Sequence, residues 1–318
     1  MTTSGHQIIF LYSGQGNQYR NMGLSLFKTN PVFRESIERS SAIVEKLLQR
    51  SLIEELYASD TMVFDDLLIT NPAIVAVEVA LYELLKGMAI NQDYVTGTSL
   101  GEFAAGVAAG AWESEMAIET AVELAKSVTN FPSNGGMLAI LSGDPALVAK
   151  LCNKHKLFVA AENFAGNFTV SGYRKNLEDF DTELKLSGGQ SLQLPVAYPF
   201  HTPLLNNLKS SFDYHLACSG NWPAAVNGFI SGSEAQIITT IDDSYFWNAI
   251  TKPINFPALI KYTETNGPVL YVDLGPSGTS ATFIKYNLPK NSQSIVLPIM
   301  TQYKQELSQL EKLQRLVY

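Results

Sequence analysis

Asp93-Tyr94-Val95-Thr96-Gly97-Thr98-Ser99-Leu100-Gly101-Glu102 decides the reading of this chain. An extended run ends in G-x-S-x-G. A stretch of small residues follows: Ala104, Ala105, Gly106, Ala108, Ala109 and Gly110. The pattern predicts strand, sharp turn, helix. Such a turn forces its central serine into a strained conformation and exposes the hydroxyl. Glycines two residues before and after are needed because neighbouring backbone passes too close for a Cβ. The helix N-terminus beyond offers unpaired N–H groups to a developing oxyanion, with the Leu100 amide as the natural donor. An ordinary glycine-flanked loop is the competing reading of any five-residue match, and the strand–turn–helix setting favours the elbow.

Working outward, Gln7-Ile8-Ile9-Phe10-Leu11-Tyr12 is a continuous apolar run stopped by Ser13-Gly14-Gln15-Gly16-Asn17-Gln18. That suits a parallel sheet covered on both faces. Helical patterning covers 31–56, and a second helix is expected over 73–85, after Thr70-Asn71-Pro72. Ala117, Ala121, Leu124, Ala125 and Val128 mark the apolar face of another. The turn cluster at 130–136 is the first expected boundary. Strand, helix, strand, strand, helix, strand then read over 137–141, 145–154, 158–163, 167–172, 175–187 and 191–195, the pattern of a ferredoxin-like insert. Strands at 225–231 and 269–274 and helices at 244–250 and 257–265 complete an α/β pattern. The expected division is 1–131, 132–196 and 197–318.

Composition narrows the function. The chain has 318 residues, 46% hydrophobic and 16% charged, which excludes a disordered polymer. Its 22 Lys+Arg against 30 Asp+Glu give a net charge of −8, so no simple electrostatic nucleic-acid binder is expected. Two cysteines without C-x-x-C spacing exclude a disulfide scaffold and a thiolate zinc site. No secretory leader opens the sequence and no run of about 18 apolar residues occurs, so no membrane span is expected. A reducing cytoplasm fits best.

A nucleophilic serine needs a base, and there are four histidines. His6 is expected at a frayed terminus, His155 in a solvated basic turn, and His215 partly exposed on a helix. His201, held between Pro199 and Pro203, is the best candidate, against the competing reading of a structural histidine packed under a loop. Asp273 is a tempting third member. The chain order Ser99, His201, Asp273 departs from the α/β-hydrolase order of serine, acid, histidine, so a dyad is the simpler inference. Gly14-Gln15-Gly16 completes neither a dinucleotide fingerprint nor a P-loop. An amide at Gln15 is instead a candidate oxyanion donor.

Taken together, five ordered segments resemble malonyl-CoA:acyl-carrier-protein acyltransferases and the acyltransferases of polyketide synthases. Ser13–Gln18 is similar to the family's G-Q-G-x-Q start and Thr70-Asn71-Pro72-Ala73 to T-Q-P-A. Gly97 to Glu102 resembles G-H-S-x-G-E. Tyr198-Pro199-Phe200-His201 stands where the family has its specificity tetrapeptide, and Leu274-Gly275-Pro276 resembles the late L/I-G-P turn. The resemblance implies an α/β fold: an α/β-hydrolase-like large domain with an inserted ferredoxin-like small domain. It implies a ping-pong route through an acyl-Ser99 ester, with His201 as base then acid and the Gln15 and Leu100 positions holding the oxyanion. It also implies a histidine oriented by a backbone carbonyl or side-chain amide near Asn248-Ala249, an acyl carrier protein as partner, and no cofactor or metal. Leu124, Tyr198, Phe200 and Asn163 are the expected substrate-binding residues.

The departures bear on specificity. Malonyl-selective members carry an arginine on the helix after the elbow helix, which pairs bidentately with the free carboxylate. Ungapped counting from Ser99 puts that position at Leu124, with Ala125 the alternative. No arginine lies between Arg50 and Arg174, and Lys126 is about 200° around the helix from Leu124. Thr98 replaces the family's histidine, and Tyr198–His201 matches neither the malonyl nor the methylmalonyl tetrapeptide. Malonyl groups are therefore expected to be poor substrates, unless a shifted helix or another cation rescues them. The leading reading is an editing acyl hydrolase that removes non-malonyl acyl groups from carrier-protein thioesters. The alternatives are an acyltransferase moving an uncharged acyl group (acetyl or longer) or malonyl onto a carrier protein, and an idle scaffold. Lys150, Lys154 and Lys156 are a candidate basic patch for the carrier protein, or simply a solvated helix face.

Overall fold

A computed structural model describes residues 5–58, 63–132, 134–219 and 223–318, with the side chains of 214, 215 and 217–219 outside that description. The first half contains β1 (Gln7–Tyr12), α1 (Leu24–Thr29), α2 (Pro31–Leu48), α3 (Leu52–Tyr57), α4 (Leu67–Gly87), β2 (Tyr94–Gly97), α5 (Gly101–Ala108) and α6 (Ser114–Thr129). The middle contains β3 (Gly135–Ser142), α7 (Pro145–His155), β4 (Phe158–Phe164), β5 (Asn167–Tyr173), α8 (Arg174–Leu186) and β6 (Gln190–Gln193). The remainder contains α9 (Lys209–Ser219), β7 (Ala224–Ser231), β8 (Gln236–Ile241), α10 (Tyr245–Thr251), β9 (Ile254–Asn255), α11 (Phe256–Thr263), β10 (Val269–Asp273), α12 (Thr279–Asn287), β11 (Ile295–Pro298) and α13 (Glu306–Val317).

The larger sheet has the order β11-β10-β1-β2-β7-β8. Its first five strands pair in parallel, and β8 returns antiparallel on β7. β1 is central, which is why Phe10, Leu11 and Tyr12 are fully buried and its sequence reads as one apolar run. The smaller sheet has the order β6-β3-β5-β4-β9. Residues 135–193 give it the β-α-β-β-α-β order of a ferredoxin-like unit. They pack around their own apolar cluster of Leu138, Ile140, Leu151, Val170, Phe180 and Leu184. The fifth strand, β9, comes from outside that stretch and runs parallel to β4, with Ile254 opposite Ala161.

Some expectations are corrected. The helix expected over 31–56 is two helices. Gln49 ends the first in the left-handed region at φ 56°, and Ser51 caps the second by accepting from the Glu54 amide at 3.3 Å. The helix expected from residue 73 begins at Leu67, capped by Asp66, whose carboxylate accepts from the Leu68 amide at 3.2 Å. Pro72 therefore lies inside α4, at the cost of one hydrogen bond in the ladder. α4 is long and apolar enough to cross a membrane, but 83% of its apolar window is packed inside the molecule, as befits a core helix apolar on every face.

Candidate active site

The elbow forms where β2 meets α5. A Cβ at Gly97 would lie 2.5 Å from the Gly101 carbonyl, and one at Gly101 would lie 2.5 Å from the Tyr12 carbonyl. Both contacts are with backbone, so neither can be relieved by a rotamer change. Ser99 sits at φ 57°, a conformation that costs of order 1–3 kcal/mol for a non-glycine residue. The turn is closed by the Gly101 amide on the Thr98 carbonyl at 3.0 Å and the Glu102 amide on the Ser99 carbonyl at 3.1 Å. The loop after β1 presses against it: a Cβ at Gly14 would lie 2.8 Å from the Ser99 Cβ and 3.3 Å from the Leu100 nitrogen.

His201 completes a pair. Its Nε2 lies 3.0 Å from the Ser99 Oγ, and its Nδ1 lies 2.7 Å from the Lys252 carbonyl oxygen. A carbonyl can only accept, so Nδ1 carries the proton and Nε2 is free to accept from the serine hydroxyl. His201 is itself at φ 58°, and its own amide donates to the Ile250 carbonyl at 2.9 Å. Burial lowers the imidazole to about 4, with the Lys252 bond opposing the shift, so the ring is neutral near pH 7. The orienting group is thus a backbone carbonyl three residues beyond Asn248-Ala249.

Asp273 is not a triad member. Its buried carboxylate accepts from the Gly275 amide at 2.9 Å and the Ala281 amide at 2.7 Å, bracing the loop into α12. Desolvation raises it to about 7. His6 and His155 lie apart from the pair. His6 Nε2 sits 3.1 Å from the Gln293 carbonyl rather than at a frayed end. His155 packs beside Phe180 with Nε2 2.8 Å from Glu183, not in open solvent. The His215 side chain lies outside the described residues.

A cavity of about 270 Å³ opens on Ser99 and His201. Gln15, Leu100, Leu124, Phe200 and Asn163 all line it, together with Met137, Ala139, Leu141, Ala161, Leu194, Val196, Ile250 and Phe256. Tyr198 is not among the lining residues. It is half-buried, and its ring meets Phe200 edge-on at 6.3 Å. Leu124 is 1% exposed, and among the described residues no lysine, arginine, aspartate or glutamate is in the lining. Lys126 instead pairs with Glu123 at 2.7 Å. Asn163 donates to the Asn167 side-chain oxygen at 2.8 Å, and Asn17, Asn71, Thr169, Thr279 and Ser280 add further uncharged polar groups to the lining.

The side-chain amide of Gln15 is engaged by Thr70, at 3.0 Å, and by Asn71. The loop that presents the Gln15 backbone amide is therefore tied to α4. Thr70 and Asn71 stand in a motif noticed in the sequence without a role. Lys252 acts through a carbonyl that any residue would supply, so no side-chain signal marks it. Of the basic patch, Lys150 and Lys156 are exposed, while Lys154 pairs with Glu183 at 2.6 Å.

A family model described as the acyl transferase domain matches residues 9–316. The polyketide biosynthesis acyltransferase homolog PksD of Bacillus subtilis (strain 168) is 35% identical over 311 residues, covering 95% of this chain and 94% of its own length. Its counterpart BaeD of Bacillus velezensis (strain DSM 23117 / BGSC 10A6 / LMG 26770 / FZB42) is 34% identical, covering 96% and 95%. A loading acyltransferase of the avermectin modular polyketide synthase superposes with a TM-score of 0.87 at 22% identity, covering 96% of this chain and 99% of that one. The malonyl CoA-acyl carrier protein transacylase of Clostridium perfringens gives 0.82 at 24% identity, covering 98% and 99%. These two likenesses bear on the fold.

Proposed function

The chain belongs to the acyl transferase domain family, and from that premise we propose that it removes uncharged acyl groups from carrier-protein thioesters through an acyl-Ser99 ester opened by water. His201 Nε2 takes the Ser99 proton as Oγ attacks the thioester carbonyl. The amides of Gln15 and Leu100 receive the oxyanion. Collapse expels the carrier-protein thiol, which takes the proton from His201. Water then attacks the ester, His201 again accepts a proton, and the free acid leaves as Ser99 is reprotonated.

The observation that supports this substrate class is the lining itself. A dicarboxylic acyl group would place a carboxylate in a lining whose polar members are neutral Asn, Gln, Thr and Ser side chains beside His201, with no lysine or arginine among the described lining residues to pair with it. Neutral donors offset the desolvation of a carboxylate less fully than a guanidinium fork does, which disfavours malonyl against an uncharged acyl group. A second reading, transfer of an uncharged acyl group to another carrier-protein thiol, is favoured by the acyltransferase names of PksD and BaeD. Both share every step up to the acyl-serine.

The test mixes the protein with acetyl- and malonyl-carrier protein and follows both by intact mass. Conversion of the acetyl form to free thiol, with malonyl spared, is expected. Stoichiometric movement of acetyl to a second carrier protein would establish the transferase reading, and rapid loss of malonyl would overturn the substrate class.

A further inference from the structure

Glu102 is fully buried three residues beyond Ser99, in the helix that the elbow starts. Its Oε1 accepts from the amides of Gly232, at 2.9 Å, and Ser233, at 3.3 Å. Its Oε2 accepts from the Tyr245 hydroxyl at 2.9 Å, and the Tyr245 oxygen lies 2.7 Å from the Ser231 hydroxyl. Tyr245 is the first residue of α10. At the other end of that helix are the two carbonyls that hold His201: Ile250 on its amide at 2.9 Å and Lys252 on its Nδ1 at 2.7 Å.

We propose that Glu102 and Tyr245 are positioning residues for the reaction, joining the nucleophile's helix to the helix end that holds the base and so setting the Ser99–His201 distance. The proposal rests on the reading of Ser99 and His201 as the reacting pair. Other contacts of α10 are ring against ring. Phe246 stacks on Trp112 at 4.1 Å and tilts against Phe103 at 4.9 Å. Such contacts resist separation but tolerate sliding, whereas hydrogen bonds fix direction and distance. A seven-residue helix is about 10 Å long, so a shift at Tyr245 reaches Lys252 with little loss. Keeping a carboxyl group in the core is unfavourable unless its oxygens are satisfied, and here both are, by the turn after β7 and by α10.

The test uses the full chain and follows acyl-serine formation from acetyl-carrier protein by intact mass. A second readout is the downfield proton resonance of the His201 Nδ1–H. Tyr245→Phe, assayed well below its thermal midpoint, is expected to acylate roughly 10- to 100-fold more slowly with KM unchanged, and to shift or broaden that resonance. Glu102→Gln keeps an acceptor for Gly232 and a donor for the Tyr245 oxygen. It is expected within about threefold of the wild-type rate. A folded Tyr245→Phe with wild-type rate and an unmoved resonance overturns the proposal. So does a Glu102→Gln variant as slow as Glu102→Ala, a comparison that decides the matter even if Tyr245→Phe does not fold. A wild-type protein that forms no acyl adduct removable by Ser99→Ala would overturn the active-site reading instead.

Discussion

The proposed reacting pair and the cavity lining around it are built by opposite rules. Ser99 and His201 are held by backbone atoms: both have positive φ, and the histidine is fixed by two main-chain carbonyls. The lining is held by side-chain packing, with Leu124, Ala161 and Phe200 nearly or fully buried. Backbone-held geometry changes little when side chains are exchanged. Packed surfaces change with every methyl group. The family's chemistry can therefore persist while its choice of acyl group drifts.

The sharpest break in this comparison is Ser99→Ala. It should lower acyl-enzyme formation by roughly four orders of magnitude or more, seen as loss of the acyl adduct by mass, with the fold intact by circular dichroism. Leu124→Arg tests the other side. It should raise malonyl acylation relative to acetyl by roughly 10-fold or more through a charge-assisted pair. It should also lower the thermal midpoint, because without ligand the guanidinium is buried unpaired. An unchanged malonyl rate in a folded variant would mean that Leu124 does not face the acyl group.

A pH profile sharpens the first half. With His201 lowered to about 4, acylation should rise with pH through that value and then stay flat. A plateau reached only near pH 7 would mean that the imidazole is far better solvated than its burial implies. The smallest effect concerns stability. Glu78 accepts from the Ser13 amide at 2.6 Å, and burial raises its carboxyl well above the usual range. Asp273 and Glu102 are raised to about 7 and about 8. An acid whose folded pKa is raised contributes stability below its unfolded pKa and loses it as pH rises through the folded value. The thermal midpoint should therefore fall from about pH 5 to about pH 8, and Glu78→Gln should make that slope shallower.

The same contrast explains what the sequence reveals. The elbow is legible because Gly97 and Gly101 are demanded by backbone contacts that leave no room for a Cβ. β1 is legible because a strand covered on both faces must be apolar throughout. The split at Gln49 is not, since the apolar spacing continues across it and a glutamine gives no warning of a left-handed turn. Leu124 is legible because counting along helices of ordinary pitch reaches it, and it lines the cavity. Tyr198 shares the tetrapeptide of Phe200 and His201, but its ring packs against Phe200 and does not line the cavity. Asp273 misleads because a buried acid that braces a loop has the same letter as one that orients a histidine. Lys252 was invisible because its contribution is an atom common to all residues.

Two residues of β9 have a consequence for how the base is aligned. Lys252 holds the imidazole, and two positions later Ile254 is stitched to Ala161 in the smaller sheet. The smaller sheet is thus tied to the larger part of the molecule beside the proposed base, His201. On the proposed reading, the alignment of base and serine therefore depends on both sheets, since a displacement of β4 is passed to the imidazole along a link of two residues.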